Sequence, residues 1–258
     1  MLRLLSFLFL VSAFFSCLPE KTALERALRE AGDNRMELEK VLAYYRDDTL
    51  KYQAACFLIE NMPDQYAVLP LDSTDTYARA LLSLDKEDPV SWEISRSLVA
   101  AVFDSISKIQ PESRIKIVRD IEVMTSDYLI ENIESAFKVW NRRGVAKHYS
   151  FDDFCSYVLP YRVAHEPLSH WRRTALQRYG HWLDSLNAPQ DIARSIAMRY
   201  PVRYNAGMTK YPYIMSYEEM DSLQWGTCDD MTAFLTLSLR AIGIPAATDV
   251  VKAWANRS

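Results

Sequence analysis

Cys228 is the residue of this chain best placed to act as a nucleophile. It follows Trp225-Gly226-Thr227 and precedes Asp229-Asp230. Thr227 and Asp230 have the Ser/Thr-x-x-Asp/Glu spacing of a capping box, which makes Thr227 an N-cap and Cys228 the first residue of a helix. Met231, Phe234, Leu235, Leu239 and Ile242 recur at helical spacing after it, and Arg240 suits the negative end of the helix dipole. The positive end then faces the sulfur. A helix start with basic neighbours can lower a thiol pKa from about 8.5 into the range of roughly 3.5–7.5. Here Asp229 and Asp230 oppose that by like charge, so a paired base is required to take the thiol proton and return it to the leaving group. Backbone N–H groups at the same helix start offer part of an oxyanion hole. The competing reading is that Cys228 is a small residue in a helix cap.

Other residue types restrict the chemistry further. His148, His165, His170 and His181 all precede Cys228, and none follows it. His165-Glu166 is not a zinc-binding His-Glu-x-x-His, because His170 lies five residues on and Pro167 interrupts any helix. Asp152-Asp153 and Asp229-Asp230 read as helix-start charges rather than metal ligands. The chain has no Gly-rich phosphate loop and no Cys-x-x-Cys, so no metal and no cofactor is expected. Cys56 lies on an apolar helix face with Ala54, Phe57 and Leu58, and Cys155 follows Phe151 and Phe154. Both read as small buried hydrophobes, and a disulfide between them is permitted but not demanded by anything in the sequence.

Gly226-x-Cys228-x-Asp230, the apolar helix, and Leu239-Arg240-Ala241-Ile242-Gly243-Ile244-Pro245-Ala246 together resemble the nucleophile segment of bacterial transglutaminase-like domains. Tyr157-Val158-Leu159-Pro160-Tyr161-Arg162-Val163, with Glu166-Pro167-Leu168 and Trp171-Arg172, is similar to the region that precedes this domain in secreted members. The resemblance implies a papain-type site with a thiol nucleophile at Cys228, followed downstream by a His and an Asp on strands. Trp254-Ala255-Asn256-Arg257-Ser258 resembles the run-up to that His. The expectation is therefore the front part of such a domain, with base and orienting residue missing and the chain inactive as it stands. The implied activity is that of a peptidase or amidase, or of a crosslinking acyl transferase, acting on peptide, cell-wall or glycoprotein material.

The elements that must position this cysteine are mainly helical. Only six glycines occur in 258 residues, which disfavours a turn-rich β architecture. The net charge of −4 and the lack of any Lys/Arg block argue against nucleic acid as a partner. Arg3 and the apolar run Leu4–Phe15 form a secretory leader, too short to span a bilayer, which needs about 20 residues. Cys17 after it resembles a lipoprotein cleavage site, implying a membrane partner through a lipid anchor and a cell-envelope location, outer-membrane lipoprotein or periplasmic. An ordinary signal peptide or uncleaved anchor is the alternative.

The expected fold class is α+β. Residues 1–16 are a signal peptide, 17–149 a helical N-terminal domain, and 150–258 the first, mostly helical part of a transglutaminase-like domain whose sheet is incomplete. Helices are expected over 22–31, 35–45, 48–62, 76–84, 90–106 and 125–142. More follow from Ser150, from Ser169 as the cap of 171–186, over 191–200, from Ser216, and from Thr227. Residues 65–72 read as a loop around Pro70, and 246–253 as the one strand.

Aromatics crowd the stretch just before Cys228. Trp225, Tyr211 and Tyr213, with Trp254 beyond, are candidate substrate-binding residues. The plainer reading is that such rings fill the core around the nucleophile helix. If they line a groove and the thiol does nothing, the chain is a non-catalytic surface lipoprotein that binds peptide or glycan.

Overall fold

The computed structural model describes residues 22–71, 76–83, 92–109, 115–141, 149–185 and 188–249. The leader, Cys17, His148 and Trp254 lie outside them. The described chain is α+β and mostly helical. In order it runs α1 (Ala23–Glu30), α2 (Arg35–Tyr44), α3 (Thr49–Glu60), β1 (Tyr66–Pro70), α4 (Thr76–Leu82), α5 (Trp92–Ile109), β2 (Ile115–Arg119), α6 (Asp120–Val123) and α7 (Ser126–Trp140). Then follow α8 (Phe151–Tyr157), α9 (Trp171–Tyr179), α10 (Trp182–Ser185), α11 (Pro189–Arg199), β3 (Arg203–Tyr204), α12 (Tyr217–Leu223), β4 (Trp225–Gly226) and α13 (Cys228–Ala241). No described helix is long and apolar enough to cross a membrane.

Local chemistry sets the helix starts. Thr22, Asp48 and Thr125 each accept a hydrogen bond from a backbone N–H in the first turn of α1, α3 and α7. Ser150, Ser216 and Thr227 form complete capping boxes with Asp153, Glu219 and Asp230 at the starts of α8, α12 and α13. The expected cap at Ser169 is displaced. His170 takes the N-cap position without a side-chain bond, while the Ser169 carbonyl accepts from Tyr128 Oη at 3.1 Å. The helix expected over 171–186 also breaks. Gly180 ends α9, because glycine is a poor helix former and here lets the backbone close on the Leu176 carbonyl.

Two expectations about strands fail. Residues 66–70 form β1, paired antiparallel with β2 so that Tyr66 faces Arg119 and Pro70 faces Ile115. Pro70 ends a strand on this narrow ribbon rather than breaking it, as proline can at a strand margin. Residues 246–249 are irregular instead of extended in a sheet. Ala246 N donates to Tyr157 O at 3.1 Å, and Ala246 O accepts from Arg240 Nε at 3.0 Å. Its backbone is thereby satisfied without a neighbouring strand. Residues 250–253 of that expected strand lie outside the described residues.

Two apolar cores organise these elements. The first gathers Leu38, Val41, Ile59, Leu129, Ile133 and Phe154 from α2, α3, α7 and α8. The second gathers Leu81, Phe103, Ile192, Tyr217, Phe234 and Leu237 from α4, α5, α11, α12 and α13. Core membership therefore crosses chain order, since α4 and α5 pack with the later helices and α8 packs with the earlier ones. Cys155 is buried in the first core and Cys56 is half-buried. Both are free thiols.

Residues 158–168 join the cores, and three buried arginines hold them. Arg172 of α9 donates to the Val158 and Leu159 carbonyls at 2.5 and 2.9 Å, to Asn132 Oδ1 at 2.7 Å and to Arg240 O at 3.1 Å. Arg240 of α13 donates to Arg162 O at 2.8 Å. Arg162 makes a two-pronged contact with Asp120, at 2.8 and 2.6 Å, and also reaches the Glu166 carbonyl. Loss of hydration pushes the Arg172 pKa down to about 9, with the neighbouring Arg240 charge adding to it, and pushes Arg240 down to about 10. Arg172 and Arg240 both remain charged at neutral pH. Replacing Asp120 with Asn should leave Arg162 buried without its anion and destabilise the fold by about 3–5 kcal/mol in urea titration. A loss under about 1 kcal/mol would show that the pair is dispensable.

A second joint is acid-sensitive. Glu37 of α2 accepts from the backbone N and hydroxyl of Ser126, at 2.8 and 2.7 Å, and so caps α7 from outside it. A bond from Lys40, together with the Ser126 bonds, holds the Glu37 carboxyl down at about 2. A lowered acid pKa stabilises the fold above the unfolded value of 4.5, and that contribution is lost as pH falls toward 2. Glu37→Gln should therefore flatten the fall in urea midpoint between pH 4.5 and 2. Parallel curves for the two proteins would dismiss the link.

Candidate functional site

The start of α13 is fixed from both sides. Before it, β3 and β4 form a short parallel pair in which Arg203 N donates to Gln224 O and Asn205 N to Gly226 O, both at 2.9 Å. Along its flank, Tyr217 of α12 stacks on Phe234 with ring centres 4.3 Å apart and its hydroxyl lies 2.9 Å from Ser238 Oγ. α9 and α11 pack along the rest of the helix. At its far end Gly243 adopts φ +82°, a left-handed conformation open to glycine, and sits 3.3 Å from Val139 of α7 when given a Cβ. Tyr149 Oη bonds the Gly243 carbonyl there.

Cys228 occupies the first position of this helix and is exposed. The capping box beneath it is complete. Thr227 donates through N and Oγ1 to Asp230 Oδ2, both at 2.8 Å, and Asp230 N returns a bond to Thr227 Oγ1. Burial raises the Asp230 pKa, the Thr227 bonds oppose that, and the Asp229 charge adds to the rise. The Cys228 thiol points toward Asp229 Oδ1 at 4.0 Å. No imidazole among the described residues bonds the sulfur. The other thiols are less available: burial and the Asp152 charge push Cys155 up to about 12, and burial and Glu60 raise Cys56.

Beside the helix start opens a cleft of about 540 Å³. One wall is α13 itself, through Thr227, Asp229, Asp230 and Ala233. A second is the arginine-held segment, through Val163 to Glu166. The third is the loop from Met208 to Met215. Of the residues that the sequence singles out, Tyr211 and Tyr213 line this cleft. Trp225 is half-buried in β4 and packs against the second core without lining the cleft. The structure brings Tyr211 and Tyr213 to one cleft with Thr227, Asp229 and Asp230 of the helix start but leaves Cys228 outside its lining, and places Tyr217 wholly in the core.

His165 and Glu166 line the same cleft, although nothing in their local pattern pairs them with residue 228. Glu166 is buried and accepts from the Val163 and Ala164 amides at 2.7 and 2.8 Å. The His165 ring stacks on Tyr66 with centres 3.9 Å apart, and its carbonyl accepts from Val68 N at 3.0 Å. Its Nδ1 is buried and has no hydrogen-bond partner among the described residues. The available signal was Pro160 and Pro167, which hold the segment extended but do not say what it faces. The described residues contain no cluster of three or more metal-ligating side chains.

Gly226 sets how closely β4 approaches the capping box. A Cβ there would come within 2.7 Å of the Asp230 Cβ. Gly226→Ala should displace Asp230, cost about 1–3 kcal/mol, and slow modification of Cys228 by a soluble alkylating reagent. Unchanged stability and unchanged Cys228 reactivity would show that the helix start absorbs a methyl group.

Compared with known proteins, the chain matches no family model, no curated protein and no solved structure.

Proposed function

We propose that this chain carries the nucleophile end of an exported cysteine-dependent acyl transferase or amide hydrolase of transglutaminase-like type, with Cys228 as nucleophile. One observation carries the reading: the single exposed thiol among the described residues stands on the first turn of a helix anchored in the second core, and the same turn lends Thr227, Asp229 and Asp230, though not Cys228, to a cleft large enough for a substrate segment. In this reaction the sulfur attacks an amide carbonyl and expels an amine. The resulting thioester is then resolved by water or a second amine. The N–H groups of the first helical turn face the developing oxyanion. The sulfur also needs a proton acceptor, and an imidazole is the group this chemistry uses. In this proposal residues 1–16 act as an export signal and Cys17 carries a lipid, so that the protein works in the cell envelope, where peptide or cell-wall amides are at hand.

A second reading is supported by the cleft alone. Tyr211 and Tyr213 line it, as expected of a module that binds peptide or glycan without reacting.

Acylation kinetics separate the two. With imidazole added as the base, intact-mass measurement should show an activated peptide ester transferring its acyl group to Cys228 at least about tenfold faster in the folded chain than in urea, because only a positioned nucleophile gains from folding. The adduct should be absent from Cys228→Ala. A folded-state rate equal to or below the unfolded rate would identify Cys228 as a cap residue and leave the binding module standing.

A further inference from the structure

We infer that the cleft against Thr227, Asp229 and Asp230 at the start of α13 is a peptide subsite selective for a bulky apolar side chain followed by a cationic group. The assignment of the occupant as substrate rests on the reading of Cys228 as nucleophile, whereas the selectivity follows from the cleft walls.

The interior comes first. Val163, Tyr211, Tyr213, Ile214 and Ala233 are the partly exposed apolar and aromatic residues of its lining, while Met208, Met215 and Met220 are buried. Aliphatic and aromatic walls of this kind take up a bulky apolar side chain.

Charge selects the neighbouring residue. Asp229 is exposed at the mouth and Asp230 lies one residue on, while no Lys or Arg is among the described lining residues. Glu166 adds a third carboxylate, already bonded to two amides. The helix start contributes roughly half a positive charge, which the two aspartates outweigh. An anionic segment would meet acid at the entrance, whereas a lysine or arginine would meet its complement.

The test uses the full chain with Cys228→Ala, so that binding is read without chemistry. Fluorescence anisotropy is measured with three labelled pentapeptides that place Leu-Lys, Leu-Glu or Ser-Lys at the centre. The Leu-Lys peptide should bind about tenfold or more tightly than either of the others. Asp229→Lys, an exposed change that leaves the core untouched, should reverse the Lys/Glu preference. Ala233→Phe should weaken all three by filling the cleft. Equal affinity for Leu-Lys and Leu-Glu, or a preference that Asp229→Lys leaves unchanged, overturns the inference. Selective binding in a protein whose Cys228 fails the acylation test would remove the catalytic reading and leave the subsite. Acylation without selective binding would do the reverse.

Discussion

The fold depends on satisfying the carbonyls of residues 158–162 in a place where water does not reach. This segment joins the two cores and has no strand beside it to take up its polar groups. The guanidiniums of Arg172 and Arg240 do so instead, with Trp171 Nε1 on the Tyr161 carbonyl, because arginine offers up to five donors in a rigid fork and keeps its charge when buried. The geometry is mutual. Arg172 comes from α9, Arg240 from α13 and Arg162 from the segment itself, and the last is neutralised by Asp120 beside β2. A buried charge bonded this way adds little net stability over an apolar substitute, yet it tolerates few alternative arrangements. What the cluster secures is one relative placement of α9, α13 and α7, and with it the wall that carries His165 to the cleft.

That placement accounts for the contrast between the two ends of α13. Its first turn is polar, solvated and capped by its own side chains, so Cys228 stays exposed. Its last turn is buried, with Arg240 bent back over residues 160–162 and Gly243 pressed on α7. A thiol at the wet end of a helix whose dry end is locked has little positional freedom, and positional restraint is the main thing a protein can add to a thiol.

Capping chemistry made much of this visible in the sequence. The three complete boxes begin at Ser150, Ser216 and Thr227, and the helix starting at Cys228 follows from Thr227, Asp230 and the apolar spacing of Met231 to Ile242. Tyr211 and Tyr213 stood out by composition and position, and both line the cleft. The β1–β2 ribbon was harder to see. Pro70 argued for a loop, although Ile115-Lys116-Ile117 does alternate as a strand should. The role of Arg172 and Arg240 was not legible at all, because an arginine in a helical stretch reads as surface until its tertiary partners are known. His165 escaped for the same reason: its partner ring, Tyr66, lies about a hundred residues earlier in the chain. Local rules see caps and periodicity, and they do not see which distant carbonyl a long side chain will reach.

The contact of Gly243 with Val139 has a consequence for how this sequence can drift. α13 is roughly 21 Å long at 1.5 Å per residue, so a rigid helix carries any shift at its tail to its head. Val139 and Tyr149 belong to no site, yet they set the axial position of the sulfur. A lineage free to vary its surface is not free to vary these two independently of Gly243, and a change at one of the three narrows what the other two can become.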